Sequence, residues 1–309
     1  MAAPPAGASA LVRSLTRHAP GWTRLRERAV EALLLISALV AVLVTGTIVY
    51  VLFANSFAFF REVPLHEFLL GTDWVPPDDK WGVLPLLNGT LMVTLGAAAI
   101  AVPLGIGTAV YLSEFADPRV RAFLKPAIEL LAGVPSIAFG LFAILVVSPI
   151  LQDVFDADVF NALNAVIVLS FMVLPLVTSL AEDALRAVPQ ELRAGALALG
   201  ATRWEVTRQV VVPAALSGIV AGVLLGFSRA IGETMAVTLA AGARPQLGLN
   251  FLESVQTMTA YIAQTAQGDV AHAGVHYGSL FAVGLLLFAI TFAVNLLAAA
   301  VLRRYRQVY

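Results

Sequence analysis

Residues 191–213 of the chain, ELRAGALALGATRWEVTRQVVVP, form a strongly patterned segment between two long apolar runs. Just before this segment, Pro189 is placed to open a helix, and Gly200 suits the position that ends one. Thr202 followed by Glu205 has the spacing of a capping box, which starts a second helix. The pattern predicts a helix, a tight glycine turn and a second helix that leads into an apolar run. A rigid, exposed knob of this kind suits a groove in a partner protein, although a well-capped surface loop carries the same signals.

Charged residues are scarce on both sides of this segment and leave six long charge-free stretches, at residues 32–60, 81–113, 130–152, 159–181, 209–228 and 270–302. A spanning helix needs about 20 apolar residues to cross about 30 Å of hydrocarbon, so each stretch is long enough. Only 13% of the residues are charged and 59% are hydrophobic, which excludes a water-soluble domain. We expect an all-α, polytopic membrane protein with six transmembrane helices. A polar window at residues 254–268 is too short to span and predicts a loop or an interfacial helix.

The basic residues set the orientation of these helices. Six spans place both termini on one side, and the two tails together with the second and fourth loops hold fifteen Lys and Arg residues: Arg13, Arg17, Arg24, Arg26, Arg28, Arg119, Arg121, Lys125, Arg186, Arg193, Arg203, Arg208, Arg303, Arg304 and Arg306. The other three loops hold three, namely Arg61, Lys80 and Arg244. Loops on the cytoplasmic side carry the excess of Lys and Arg, so both termini are predicted to be cytoplasmic.

Several classes of function are excluded by what the sequence lacks. It has no cysteine, and neither of its two lysines, Lys80 and Lys125, lies in a P-loop, so this chain is not predicted to hydrolyse ATP. A net charge of −1 provides no basic field that would attract nucleic acid. His272 and His276 stand four residues apart, as metal ligands often do, but Gly274 separates them and no third ligand is adjacent. No metal site is predicted.

A charged pair follows a run of glycines in the fifth span. On one continuous helix, Gly218, Gly222, Gly226, Arg229 and Glu233 would fall within an arc of about 80°. Glycines at this spacing let another helix approach closely in lipid. An ionisable group at membrane depth is costly and marks a substrate pathway by default. We therefore predict Arg229 as an anion contact held by Glu233, with the alternative that the two side chains only pair with each other and lock two helices together.

A second candidate wall of the pathway lies at the start of the third span. Glu129, Gly133, Ser136 and Gly140 would lie within about 60° of one helical face, with Pro135 interrupting the helical hydrogen bonds. A kinked helix with a narrow, partly polar face suits a gate. Glu129 and Ser136 are therefore predicted to line the substrate pathway, although ordinary tight packing explains the same glycines equally well.

The segment at residues 191–213 resembles the EAA loop of permeases from binding-protein-dependent ABC importers. That loop has the pattern Glu-Ala-Ala, three residues, Gly, nine residues and then Ile-x-Leu-Pro, and the matching positions are Ala194, Gly195, Ala196, Gly200, Val210, Val212 and Pro213. Ala194 replaces the family Glu and Gly195 replaces the first Ala, with Glu191 one helical turn earlier as a substitute for the missing charge. The resemblance implies that the contact with an ATPase is made by Glu191, Ala194, Gly195, Ala196, Gly200, Thr202 and Glu205.

Two further stretches are similar to the permeases of phosphate ABC importers, Glu129–Phe142 (ELLAGVPSIAFGLF) and Gly226–Gly242 (GFSRAIGETMAVTLAAG). The runs Gly232–Val237 and Leu249–Gln264 resemble the PstC-type subunit more than its PstA-type partner. The resemblance implies a type I ABC importer permease, or MetI-like, fold in the bacterial cytoplasmic membrane.

We expect the chain to have four parts. Residues 1–29 would be a basic cytoplasmic tail, and residues 30–83 the first transmembrane helix with its outer loop. Residues 84–302 would be the permease domain with a cytoplasmic coupling loop at 182–212, and residues 303–309 a cytoplasmic C-terminus.

The resemblance also implies partners and a mechanism. The partners are a PstA-like second permease, two PstB-like ATPase subunits, a PstS-like periplasmic or lipid-anchored phosphate-binding protein, and membrane lipid. This chain would bind no cofactor, and the partner ATPases would use ATP and Mg²⁺. Phosphate would cross by alternating access along the Arg229 face. The alternatives are an importer of another oxyanion such as sulfate, molybdate or a phosphonate, a secondary transporter that couples protons through Glu233 and Glu129, and a non-transporting scaffold or sensor.

Overall fold

The structure is a computed structural model that describes residues 21–268 and 274–305. Within those residues six helices are long and apolar enough to cross a membrane, which confirms the six predicted spans: Arg26–Glu62, Leu84–Phe115, Ser136–Phe155, Ala162–Arg186, Arg203–Ile231 and Val275–Val301. Residues 1–20 of the predicted tail, His272, and residues 306–309 of the predicted C-terminal segment lie outside the described residues.

The described chain is almost entirely helical. Its helices are α1 (Gly21–Glu62), α2 (Leu65–Leu70), α3 (Leu84–Val110), α4 (Pro118–Ala132), α5 (Ser136–Phe142), α6 (Ser148–Phe155), α7 (Ala162–Arg186), α8 (Gln190–Ala198), α9 (Arg203–Val206), α10 (Val212–Ile231), α11 (Met235–Ala241), α12 (Met258–Gln267) and α13 (Val275–Tyr305). Wider π-helical turns extend α3, join α5 to α6 and join α9 to α10, at Tyr111–Phe115, Ala143–Val147 and Thr207–Val211.

The chain divides into two compact units between Phe53 and Ala54, within α1. Residues 21–29 are helical, although the sequence pattern assigns them to the tail, because the Arg, Leu, Glu and Ala residues after Gly21 favour a helix and no proline interrupts them. In the first unit the apolar side chains of α1 are exposed, as for Leu43 at 66%. Exposed apolar side chains along a helix of this length suit contact with lipid.

An aromatic cluster fills the region between the first and second spans. Two short antiparallel strands, β1 (Trp74–Val75) and β2 (Lys80–Trp81), place Trp74 opposite Trp81. The rings of Trp74 and Tyr261 meet edge to face with centroids 4.9 Å apart, and Phe68 packs in the same cluster. Edge-to-face contacts of this kind add to the stabilisation that burial gives. They attach the loop that follows α1 to α12.

The helix α7 is the centre of the packing in the second unit. Its most apolar window is 61% buried within the protein, against 33% or less for the other five spans. The helices α3 and α10 pack along it. The buried side chains of the main apolar cluster include Leu169, Val173 and Val177 of α7. A helix surrounded by protein in this way can carry groups that lipid would exclude.

The third span is interrupted, which corrects the single kinked helix predicted through Glu129 and Ser136. The helix α4 ends at Ala132, and α5 begins at Ser136 with Pro135 at its N-cap. A residue before proline is disfavoured in the helical conformation, so Val134 cannot continue α4. Glu129 and Ser136 therefore belong to two different helices, and the span begins at residue 136 instead of residue 130.

The polar window at residues 254–268 contains the helix α12 (Met258–Gln267), and one face of this helix is buried in the protein. Met258 is fully buried, and its backbone N–H donates to Thr90 Oγ1 at 2.9 Å. Thr259 Oγ1 donates to the carbonyl of Glu233 at 2.8 Å. The hydroxyl of Thr259 thus has a partner inside the protein, which offsets the cost of burying it.

The glycines of the fifth span bring α10 close to α7. A Cβ atom added at Gly218 would lie 2.4 Å from Ala184 Cβ, and one added at Gly222 would lie 2.9 Å from Leu180 Cβ. One added at Gly226 would lie 2.9 Å from a methyl carbon of Val177. All three glycines therefore face α7, at a separation that a larger residue would not allow.

Replacing Gly218 by alanine tests this packing. We expect Gly218→Ala to lower the thermal unfolding temperature of the purified chain in detergent, with a loss of about 1–3 kcal/mol that is typical of overpacking. Gly107 of α3 provides a matched control, because an added Cβ there meets no atom within 4 Å. Gly107→Ala should leave the unfolding temperature unchanged or raise it. Equal losses in both variants would contradict the assignment of a close contact to Gly218.

Candidate functional site

The segment between α7 and α10 forms an exposed knob, which we call the coupling segment (residues 189–211). Its first helix, α8, has Pro189 at the N-cap and contains no buried residue. Gly200 follows with a φ of 86°, in the left-handed region that glycine adopts without strain. The predicted helix, glycine turn and second helix therefore occur at the expected residues.

The second helix of the coupling segment begins with a complete capping box. Thr202 Oγ1 accepts a hydrogen bond from the backbone N–H of Glu205 at 3.3 Å. In return, the Glu205 carboxylate accepts from the Thr202 N–H at 2.7 Å. These bonds satisfy two backbone donors that the start of a helix leaves without partners, and they fix the direction in which the chain enters the fifth span.

The residues predicted to contact an ATPase lie mostly on the outer surface of this knob. Glu191, Ala194, Gly195, Gly200, Thr202 and Glu205 are exposed, and Ala196 is half-buried. Two apolar side chains beside them are also exposed, Leu199 at 91% and Trp204 at 58%. Exposed apolar groups rimmed by polar ones are typical of a docking surface.

Arg193 anchors the coupling segment, and the sequence pattern does not point to it. Its guanidinium pairs with the carboxylate of Glu114 at the end of the second span, and both side chains are largely buried, at 12% and 10% exposure. A second N–H group of Arg193 donates to the carbonyl of Leu185 at 2.7 Å. The partners are 79 residues apart in sequence, so only the folded chain reveals the pair.

A second ionic cluster lies beside this anchor, around Glu182. The Glu182 side chain is only 1% exposed and pairs with Arg121 at 2.6 Å and with Lys125 at 2.8 Å. The hydrogen bond to Glu182 raises the pKa of Lys125 above its ordinary value, against an opposing effect of burial. In the sequence, Arg121 and Lys125 indicate only which side of the membrane their loop lies on. The structure gives them a buried partner on α7.

Arg229 lies at the end of the fifth span, two residues before α10 ends at Ile231, and its side chain is exposed. Within the described residues it forms no salt bridge. A cation in the last turn of a helix is favoured by the helix dipole, which accounts for part of its placement. Its guanidinium remains available to an anion.

Glu233 is not on the helical face predicted for it. Because α10 ends at Ile231, with Gly232 as its C-cap, Glu233 lies beyond the helix. Its carboxylate accepts a hydrogen bond from the Ala236 N–H at 3.3 Å, at the start of α11. The predicted pair of Arg229 and Glu233 is therefore absent, and Glu233 instead caps the next helix. Glycine disfavours a helix interior, and the helix ends before it reaches Glu233.

The other two predicted pathway residues are also separated. Glu129 is half exposed on α4, with a carboxylate oxygen 4.0 Å from the Lys125 ammonium. Ser136 is half-buried at the start of α5. Gly140 of α5 lies against Leu239 of α11, where an added Cβ would approach within 2.7 Å. The structure thus joins the Ser136 helix to the segment that follows Glu233, and it leaves Glu129 with the ionic cluster.

No group of three potential metal ligands occurs in the part of the chain that the structure describes. The ring of His276 lies beside Trp81, with centroids 5.9 Å apart. The other histidine of the possible pair, His272, is outside the described residues.

A family model described as "Binding-protein-dependent transport system inner membrane component" matches residues 101–307. The chain belongs to this family. The matched residues begin within α3 and include the coupling segment, Arg229 and all the later helices. The chain is therefore a transport subunit, with several membrane spans, of the cytoplasmic membrane.

Curated relatives agree with this assignment and cover most of the permease. It is 34% identical to the phosphate transport system permease protein PstC of Mesorhizobium japonicum over 291 residues, 87% of each chain. It is 34% identical to the phosphate transport system permease protein PstC 2 of Mycobacterium tuberculosis, over 82% of this chain and 86% of the relative. It is 38% identical to the probable ABC transporter permease protein YqgH of Bacillus subtilis, over 75% of each.

Solved structures show the same fold. A chain of the MetNI methionine ABC transporter in an inward-facing conformation matches with a TM-score of 0.56 and 18% identity, over 73% of this permease and 95% of that chain. A chain of a bacterial alginate ABC transporter matches with a TM-score of 0.64 and 14% identity, over 93% of this permease and 98% of that chain. These likenesses confirm the predicted type I ABC importer permease fold.

The pair of Arg193 and Glu114 can be tested by stability. Removing one partner leaves a buried charge unpaired, so we expect Arg193→Ala to destabilise the purified permease by about 3–5 kcal/mol in detergent. Replacing both partners, as in Arg193→Met with Glu114→Met, should recover most of that loss. Arg208 is a suitable control because it is exposed in the same segment. Additive losses in the double variant, or a loss as large in Arg208→Ala, would contradict the anchoring role.

Proposed function

We propose that this permease forms one half of the translocation pathway of an ATP-driven phosphate importer. The observation that carries the proposal is the 34% identity, along most of both chains, to permeases named for phosphate transport. The fold itself accommodates other cargoes, since the solved likenesses come from methionine and alginate transporters. The phosphate assignment therefore depends on the relatives and on the chemistry of Arg229.

Arg229 has the chemistry that phosphate requires. Its planar guanidinium donates two parallel hydrogen bonds to an oxyanion, and it stays protonated at any working pH. An exposed position, with no carboxylate partner among the described residues, leaves those donors available. Glu233 caps α11, and α11 packs on α5, the helix that begins at Ser136. We therefore assign Glu233 and Ser136 to the same stretch of the pathway.

The coupling segment supports a role for partner ATPases. It exposes Leu199 and Trp204 on a knob that the capping box and the Arg193 anchor hold rigid. We propose that two PstB-like subunits, which would use ATP and Mg²⁺, bind here, and that a PstA-like permease and a PstS-like binding protein complete the importer. On this view the coupling segment lies on the cytoplasmic side, as the distribution of basic residues predicts.

The mechanism we propose is alternating access driven by the ATPases. Closure of the ATPases would displace the coupling segment, and the fifth span that follows it would turn the Arg229 end towards one side and then the other. A ligand that binds both states equally shifts neither, so the energy for the change has to come from ATP. Arg229 would bind the anion only transiently, since a transport site has to release its cargo.

Another oxyanion, such as sulfate or molybdate, remains the second candidate, since the guanidinium binds any of them. The YqgH relative is named as a probable ABC permease without a stated cargo. Competition by unlabelled sulfate, molybdate and phosphonate in the uptake assay below distinguishes these cargoes from phosphate.

We expect Arg229→Ala to abolish ATP-dependent phosphate uptake. The permease would be reconstituted in lipid vesicles with the second permease, the ATPase and the binding protein, and entry of labelled phosphate would be followed with and without ATP. Arg229→Lys should retain partial uptake, because it keeps the charge and loses the bidentate geometry.

Arg244→Ala is the matched control, since Arg244 is another exposed arginine in the same part of the chain. Its uptake should equal that of the unchanged permease. Normal uptake by Arg229→Ala would refute the role of Arg229 as the anion contact. Uptake that persists without ATP and disappears with the proton gradient would overturn the ABC mechanism in favour of a proton-coupled transporter.

A further inference from the structure

The helix α4 is attached to the rest of the permease in an unusual way. It contains no buried residue, and α7 is the element against which it packs. Several of its apolar side chains are largely exposed, including Phe123 at 74% and Leu130 at 75%. The apolar side chains of α4 that do pack, such as Leu124 and Ile128, are only half-buried, so polar contacts carry much of its attachment.

The buried carboxylate of Glu182 provides those contacts. Glu182 Oε1 lies 2.6 Å from a terminal nitrogen of Arg121 and accepts a hydrogen bond from Arg121 Nε at 2.8 Å. Glu182 Oε2 lies 2.8 Å from Lys125 Nζ. Arg121 and Lys125 are four residues apart and share one face of α4. One carboxylate of α7 thus binds two successive turns of α4 through both of its oxygens.

The same end of α7 also holds the coupling segment. Glu182 lies four residues before α7 ends at Arg186, and α8 begins at Gln190. Leu185 accepts a hydrogen bond from Arg193 of α8, whose guanidinium is also paired with Glu114. Displacement of the coupling segment therefore acts directly on the part of α7 that carries Glu182.

A cleft of about 500 Å³ separates α4 from the coupling segment. Its walls include Arg121, Lys125 and Glu129 on one side and Gln190 and Arg193 on the other. The two helices therefore do not rest directly on each other along the cleft. Movement of the coupling segment reaches α4 through the ionic contacts at the end of α7 and through the end of the second span.

The position of α4 in turn determines that of Ser136. Only Gly133, Val134 and Pro135 connect the end of α4 to α5, which begins at Ser136. The helix α5 packs on α11, where Gly140 meets Leu239. If α4 is displaced, it moves the start of α5, and α5 packs on α11, the helix that follows Glu233.

We propose that Glu182 is a positioning residue for transport, which makes α4 follow α7 when the coupling segment moves. Without the carboxylate, ATP hydrolysis would continue but would no longer displace the Ser136 helix. Glu182 touches no substrate in this role and acts through Arg121 and Lys125. The proposal rests on the importer function for its transport assay, but the mechanical link itself does not depend on which anion is carried.

The first test measures phosphate uptake and ATP hydrolysis in the same reconstituted vesicles. We expect Glu182→Gln to assemble normally and to raise the ATP hydrolysed per phosphate imported by about tenfold, within the range of known coupling energies. Exchanging the charges, as in Glu182→Arg with Arg121→Glu, should recover part of the coupling. A loss caused only by misfolding would reduce hydrolysis and uptake in parallel, and that result would overturn the proposal.

Asp183→Asn is the matched control. Asp183 is the next residue along α7 and also pairs with Lys125, at 3.1 Å, but its side chain is 65% exposed. An exposed ion pair contributes little, so this variant should keep the ratio of hydrolysis to uptake unchanged. The same increase in Asp183→Asn as in Glu182→Gln would show that the buried carboxylate has no special role.

A second measurement does not require substrate. Because the chain has no cysteine, Ala122→Cys on α4 and Ala187→Cys after α7 can carry a pair of spin labels. We expect a narrow distance distribution that is the same with and without bound nucleotide, and a broad one in Glu182→Gln. An unchanged distribution in Glu182→Gln would refute the link. If the unchanged complex imports no phosphate, the phosphate assignment fails, while this measurement still decides the role of Glu182.

Discussion

The bilayer core has no water to satisfy a polar group, and this constraint determines where each charge of the permease can lie. Most charges are at the ends of helices or in the segments between them. Two carboxylates close to span ends, Glu114 and Glu182, are largely buried, and each is neutralised by cations of another helix. Arg229 obeys this rule, since it lies in the last turn of the fifth span, where it is exposed and has no carboxylate partner within the described chain. Its guanidinium can therefore contact an anion at the end of the span.

Close packing and ionic pairing have different functions in this fold. Glycines at positions 218, 222 and 226 bring α10 against α7, and a contact at that separation holds the two helices in one arrangement. The helix α4, which lacks buried side chains, is held to α7 by charge instead. The permease thus combines a closely packed pair of helices, α7 and α10, with a helix that is attached to α7 mainly at its polar face.

Local patterns in the sequence predict much of the fold but little of the long-range chemistry. The six spans, the Gly200 turn and the Thr202–Glu205 capping box depend on near neighbours, and the sequence predicts all of them, although the third span begins at residue 136 instead of residue 130. The prediction of one continuous helix across Gly232, and of another across Pro135, is wrong, because a helix ends shortly before each of these residues. The pairs of Glu182 with Arg121 and of Arg193 with Glu114 join residues 61 and 79 positions apart, so no local pattern contains them.

The exposure of the ionic partners explains how a buried ion pair can serve a moving part. Glu182 is 1% exposed, whereas Arg121 and Lys125 are 28% and 26% exposed and border a cleft. If α4 separated from α7, the two cations could be hydrated from the cleft, but the buried carboxylate would keep only Arg186 of its own helix, 3.9 Å away, at a cost of several kcal/mol. The cost of separation therefore falls almost entirely on Glu182. Moving α4 together with α7 avoids that cost, so the buried carboxylate favours their joint displacement over their separation.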